Sequence, residues 1–192
     1  MFFKLFRRLR ELLRLSPKLD EFKECQNLLG HTISRCITHK KKAEAKMVQL
    51  RKDVAQLVHM GQTDRALATV SIIIQDKSTV SVYGLIQSYC ELLIGEVHTL
   101  LKQRLCPISC QTAVASLIYA TSRCSANMHE LPRLTRIFTK RFGKSFVEAA
   151  TNNEPNSAVS PELVEALSRR EPTLDSKREL IKEIAPDFAV DI

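Results

Sequence analysis

Residues 22–57 read FKECQNLLGHTISRCITHKKKAEAKMVQLRKDVAQL, and within them Phe22, Leu29, Cys36, Ala43, Leu50 and Leu57 recur at every seventh position. Ile33, Met47 and Val54 repeat in a neighbouring register. Six consecutive heptad matches predict a long amphipathic helix. Lys23, Arg35, Lys41, Lys42, Arg51 and Lys52 fall off that seam, so the opposite face is basic. Lys40 interrupts the seam, and its long stem is expected to snorkel.

Immediately beyond the seam comes Val58-His59-Met60-Gly61-Gln62-Thr63-Asp64. Gly61 fits the position after a helix that needs a left-handed backbone, and Thr63 or Asp64 fits a cap for the next helix. Two helices joined by so short a turn, with Gly61 and Thr63 as its hinge residues, must fold back as a hairpin. The second arm is predicted from Thr63 to about Leu105, with Val82, Leu85, Ile86, Tyr89, Leu93, Val97 and Leu100 on its inner side. Each arm would be roughly 60 Å long at the helical rise per residue.

Proline agrees with this map, because none occurs between Pro17 and Pro107. Gln75 to Ser81 is a weak point on helix propensity. Gly84 and Gly95 are expected to admit close approach of a neighbouring helix. After Pro107 shorter helices are predicted at about 108–123, 129–151, 160–169 and 173–185, with Ser160-Pro161 as a cap and first residue. Polar residues 151–158 read as a linker. The fold class is therefore all-α: a long antiparallel two-helix hairpin, about 19–105, with about four shorter helices packed along part of it. Residues 1–16 read as a separate amphipathic helix, and 17–188 as the helical domain.

The chain has 192 residues, with 29 Lys and Arg against 21 Asp and Glu, for a net charge of +8. Only 5 Gly, 7 Pro, no Trp and 6% aromatic residues leave little turn punctuation for a β-sandwich or barrel. The charge is uneven: residues 1–58 carry 14 basic and 6 acidic side chains, and the remainder is balanced at 15 each. A positive field concentrated in one segment attracts an anionic surface, either acidic lipid or nucleic acid.

The first fifteen residues, MFFKLFRRLRELLRL, hold the sharpest local pattern. Phe2, Leu5, Phe6, Leu9, Leu12 and Leu13 share one helical side, with Phe3 beside them as a further inserting residue. Lys4, Arg7, Arg8, Arg10 and Arg14 flank that side. This is the arrangement of an interfacial helix, apolar residues entering the acyl region and cations meeting acidic headgroups at about 1 kcal/mol each. Docking on the chain's own bundle and an organelle presequence are the competing readings. Charges this frequent leave no secretory core, and no run reaches the apolar length of a membrane span.

Six cysteines, Cys25, Cys36, Cys90, Cys106, Cys110 and Cys124, lie far apart and read as small hydrophobes in a reducing compartment. Cys106 and Cys110 are one helical turn apart, but without a CxxC or a histidine pair ordinary packing is expected rather than a metal. His31, His39, His59, His98 and His129 make no pair at motif spacing. No phosphate loop, nucleophile elbow or zinc motif occurs, so no catalytic residue, metal or cofactor is expected. Lys40, Lys41, Lys42, Lys46, Arg51 and Lys52 form a second basic cluster. A solvated helix face, lipid binding and phosphate contacts are all open to it, and no motif for reading nucleic-acid bases accompanies it.

Lys40-Lys-Lys-Ala-Glu-Ala-Lys-Met-Val-Gln-Leu-Arg-Lys-Asp-Val-Ala-Gln-Leu57, then Gly61, Ala66, the Val70 to Asp76 segment and Tyr89-Cys-Glu-Leu-Leu93 together resemble the Ist-one family. That family is also called regulator of Vps-four activity in the multivesicular-body pathway. The resemblance covers roughly Leu19 to Phe188. It implies an ESCRT-III-like fold and a non-enzymatic protein, cytoplasmic and peripheral on endosomal membranes. Such a protein would assemble, as a homo- or hetero-polymer, with ESCRT-III subunits of the charged-multivesicular-body type. It would also modulate the Vps-four AAA ATPase in sorting and protein transport.

On this resemblance Arg35, Lys40, Lys41, Lys42, Lys46, Arg51 and Lys52 sit on the arm that faces lipid or an acidic partner. The family's C-terminal ATPase-binding motif is not found before Ile192, so direct ATPase recruitment is not expected of these residues. A monomeric adaptor for ESCRT subunits and a non-specific nucleic-acid binder are the alternatives.

Overall fold

The computed structural model describes the backbone of residues 2–124, 126–168 and 170–187, and the side chains from Asp20 to Ile184 apart from positions 125 and 169. Every regular element among the described residues is a helix: α1 (Phe2–His59), α2 (Thr63–Gly95), α3 (Val97–Lys102), α4 (Ile108–Cys124), α5 (Glu130–Phe142), α6 (Lys144–Asn152), α7 (Pro161–Leu167) and α8 (Leu174–Asp187). The chain divides into two units. One comprises Met1–Arg35 and Ile86–Ser160, and the other Cys36–Leu85 and Pro161–Ile192.

The second unit contains the reversal. Helix α1 ends in a Schellman motif: the Gln62 amide donates to the Leu57 carbonyl at 2.9 Å and the Gly61 amide to the Val58 carbonyl at 3.0 Å. This closure requires the residue after the helix to be left-handed, and Gly61 has φ +71°. Helix α2 begins two residues later, at Thr63. Lys46 then meets Asp76, and the His39 ring stacks on Tyr83 at 4.9 Å, each pair equally distant from Gly61 along the chain. That register is the antiparallel hairpin expected from the turn.

Val54 from the heptad seam, Val70 and Ile73 from α2, and Leu180 and Ile184 from α8 form the buried core of this unit, with Met47 and Leu50 packed against it. Thr173 caps α8, its Oγ1 accepting from the Ser176 amide at 3.2 Å. The Gln75–Ser81 stretch stays helical. Its hydroxyls bond back one turn, Ser78 to the Ile74 carbonyl and Thr79 to the Gln75 carbonyl, so polarity on this segment does not break the ladder.

In the first unit α4 packs against α5 and α6. Residues Ala113 through Ala120 of α4 are all buried, the mark of a helix surrounded on every side. Cys25, Leu28 and Leu29 of α1 and Ile86, Cys90 and Leu93 of α2 are also buried in this unit. Two polar groups in the interior are satisfied: Thr32 Oγ1 donates to the Leu28 carbonyl at 2.8 Å, and Ser116 Oγ accepts from the Ser160 amide at 3.0 Å.

Four expectations are corrected. The second arm does not run unbroken to Leu105: Glu96 leaves helical geometry at φ −102°, ψ 7°, next to Gly95, whose missing side chain weakens the helix. The helix expected over 129–151 divides at Gly143, which has φ +92° and so cannot continue an α-helix. Gly84 and Gly95 do not admit a close neighbour, because beyond the local backbone nothing lies within 4 Å of where their Cβ would stand. The backbone of α1 is also continuous through Pro17 rather than parted there. Proline's fixed φ is compatible with a helix, at a cost of about 3 kcal/mol for the lost amide bond and the crowding of the preceding turn.

A candidate interaction surface on the first long helix

The basic residues of α1 fall into two groups, separated by whether an acid elsewhere in the chain reaches them. Arg35 makes a two-pronged ion pair with Glu130 of α5: Nη2 donates to Oε1 at 2.8 Å and Nε to Oε2 at 3.0 Å. Burial pushes the Glu130 carboxyl up, but the hydrogen bond from Arg35, a backbone amide and the charges of Arg35 and His129 more than offset it and leave it below its ordinary value. The same hydrogen bond raises the Arg35 guanidinium. Lys46 Nζ lies 2.7 Å from Asp76 of α2, and Arg51 Nη2 lies 2.7 Å from Glu183 of α8. The hydrogen bond from Arg51 holds the Glu183 carboxyl below the usual range.

These three cations pair with acids of other helices, a use that the expectation of an arm facing lipid or an acidic partner did not include. Their partners lie far along the chain, where heptad spacing gives no sign of them.

Lys41, Lys42 and Lys52 are exposed, and Lys40 is half-buried as a snorkelling stem would be. None of the four has an ion pair among the described residues. Lys41 and Lys52 are eleven residues apart, which is three helical turns, so they share one line along α1. Ile37, Ala45 and Val48 complete that line, and Val48 is 57% exposed. Glu44 is the single acid between Gly30 and Lys52. The result is an outward stripe of alternating aliphatic and cationic residues. Ile37 and Val48 were not expected here; two large aliphatic residues off the heptad seam and between lysines were the available signal. Phe2, Phe3, Leu5, Phe6, Leu9, Leu12 and Leu13, with Lys4, Arg7, Arg8, Arg10 and Arg14, lie outside the residues whose side chains are described.

In the first unit the acids of α1 fasten α5. Glu24 meets Arg133 at 2.8 Å, and Glu21 meets Lys140 at 3.4 Å and Arg141 at 3.2 Å. A groove of about 390 Å³ beside these pairs is lined by Asp20, Lys23, Glu24, His31 and Arg133. Its mixture of signs favours neither an anion nor a cation. Cys106 and Cys110 are buried, and burial first, then the neighbouring Cys110, pushes the Cys106 thiol up to about 12. A neutral thiol is a poor metal ligand. No group of three or more candidate ligands occurs among the described residues, and no helix there is long and apolar enough to cross a membrane.

A long helical hairpin with shorter helices packed on it is the ESCRT-III-like class of bundle. The profile of the Ist1 family, described as regulator of Vps4 activity in the MVB pathway, matches residues 26–191, and the chain belongs to that family. It is similar to an IST1-like protein of Dictyostelium discoideum, 25% identical over 175 residues. That alignment covers 91% of this chain and 46% of the relative, so the chain spans about half the length of that protein. The fold is similar to the crystal structure of the S. cerevisiae Ist1 N-terminal domain in complex with the Did2 MIM motif. The TM-score is 0.77 at 23% identity, covering 89% of this chain and 94% of that one.

Proposed function

We propose that this protein is a non-enzymatic ESCRT-III-related subunit that assembles on acidic endosomal membrane and thereby modulates Vps4 in multivesicular-body sorting. The observation that carries this reading is the exposed stripe of Ile37, Lys41, Val48 and Lys52, with Lys42 beside it, on the long helix of an Ist1-family domain. Cations on this stripe meet phosphate and carboxylate headgroups, and the aliphatic residues between them remove apolar surface from water on contact. Repeated weak contacts between neighbouring subunits then add avidity that no single contact provides.

The partner class is a further ESCRT-III subunit of the charged-multivesicular-body type. The solved relative's complex with the Did2 MIM motif supports it. Negative-stain microscopy of the protein with anionic liposomes and such a subunit is the test. Ordered membrane-bound filaments are expected; a protein that binds the subunit but remains monomeric is an adaptor and refutes assembly.

A further inference from the structure

The segment joining α3 to α4, together with the first residue of α4, carries the two most exposed large apolar side chains of the described residues. Leu105 is 82% exposed and Ile108 is 88% exposed. Exposed Lys102 and Arg104 precede them, and Lys102 through Ser109 contains no acid. Two aliphatic residues with this little cover do not stabilise the fold, and in water they are mildly unfavourable.

The loop is held in this presentation from beneath. Cys106, between the two outward residues, is only 8% exposed, and Cys110 one helical turn on is fully buried. The Cys110 amide donates to the Pro107 carbonyl at 2.9 Å, and Gln111 Nε2 donates to the Cys106 carbonyl at 3.3 Å. Cysteine packs inward while leucine and isoleucine point outward. The Cys106 and Pro107 carbonyls are thus already engaged, so inserting the two aliphatic tips into an apolar phase strands neither of them. Two aliphatic tips beside two cations and no acid match the apolar interior and anionic headgroups of an acidic membrane.

The geometry points to this loop as an interfacial anchor for anionic lipid: Leu105 and Ile108 enter the boundary between headgroups and acyl chains while Lys102 and Arg104 pair with acidic headgroups. The anchor rests on the membrane reading above but uses residues separate from the α1 stripe.

The sequence contains no tryptophan, so Leu105→Trp in the full chain reports this position alone. With vesicles of phosphatidylcholine and phosphatidylserine the emission is expected to shift to the blue and to be quenched by lipids brominated on their acyl chains. Adding Lys102→Gln and Arg104→Gln is expected to weaken partitioning about thirtyfold, at about 1 kcal/mol for each cation. If the protein co-sediments with these vesicles while the tryptophan still emits as in water, the anchor is refuted and the α1 stripe stands. If nothing co-sediments, both fail. An equal shift with pure phosphatidylcholine refutes the selection of acidic lipid. A blue shift that grows with protein concentration in the absence of vesicles assigns the tips to a second copy and refutes the anchor.

Discussion

Charge on α1 has two uses that are distinguished one residue at a time. Arg35 and Lys41 look alike in the sequence, yet Arg35 is gripped by Glu130 and Lys41 faces water. Replacing Glu130 with Gln is therefore expected to lower stability by about 1 kcal/mol, kept modest because Arg35 is more than a third exposed. The sign of its pH dependence follows from the lowered carboxyl. The contribution is fully present above the ordinary value of 4.5 and disappears as pH falls through the depressed folded value. Denaturation midpoints of the two proteins should thus differ at neutral pH and converge in acid; a constant gap would mean that the pair is not the source.

Glycines in the helical elements divide by conformation. Gly61 closes α1 at φ +71°, and Gly61→Ala is expected to destabilise by about 1 kcal/mol because an L side chain resists that geometry. Gly84 is helical with open space where a Cβ would stand, and Gly84→Ala is expected to stabilise by roughly 0.5–1 kcal/mol. Thermal unfolding of both variants reads the opposite signs directly, and a shared sign would refute the assignment. Helix α8 is held by Leu180 and Ile184 in the core with Val54, Val70 and Ile73. Ile184→Ala should cost about 2–4 kcal/mol, seen as faster amide hydrogen exchange in α8 than in α4; unchanged exchange would mean that α8 is not anchored there.

Several elements were readable in the sequence because their causes are local. The seven-residue apolar repeat and the left-handed need at Gly61 each act within a few positions, and both place α1 and its turn correctly. Gly143 could have been read the same way, as a glycine inside an otherwise helical pattern. The ion pairs could not, since Asp76, Glu130 and Glu183 are brought to α1 only by folding.

For the whole molecule, the basic excess of residues 1–58 is the feature most directly tied to the proposed membrane role. Part of it is absorbed internally by Asp76, Glu130 and Glu183, and the part that remains outward on the described length of α1 includes Lys41, Lys42 and Lys52. Reversal of Arg51 would be a poor probe of binding, because it would also sever α1 from Glu183 of α8. The informative variant reverses Lys41, Lys42 and Lys52 to Glu and leaves the paired cations in place.

Co-sedimentation of that triple variant with phosphatidylserine-containing liposomes, measured beside the unaltered protein at physiological ionic strength, addresses the central proposal most directly. Binding is expected to fall at least tenfold, with about 1 kcal/mol lost for each cation and repulsion added, while helical circular dichroism is unchanged. Binding that survives at the original level, with the helix content intact, would contradict a membrane role for this face of α1.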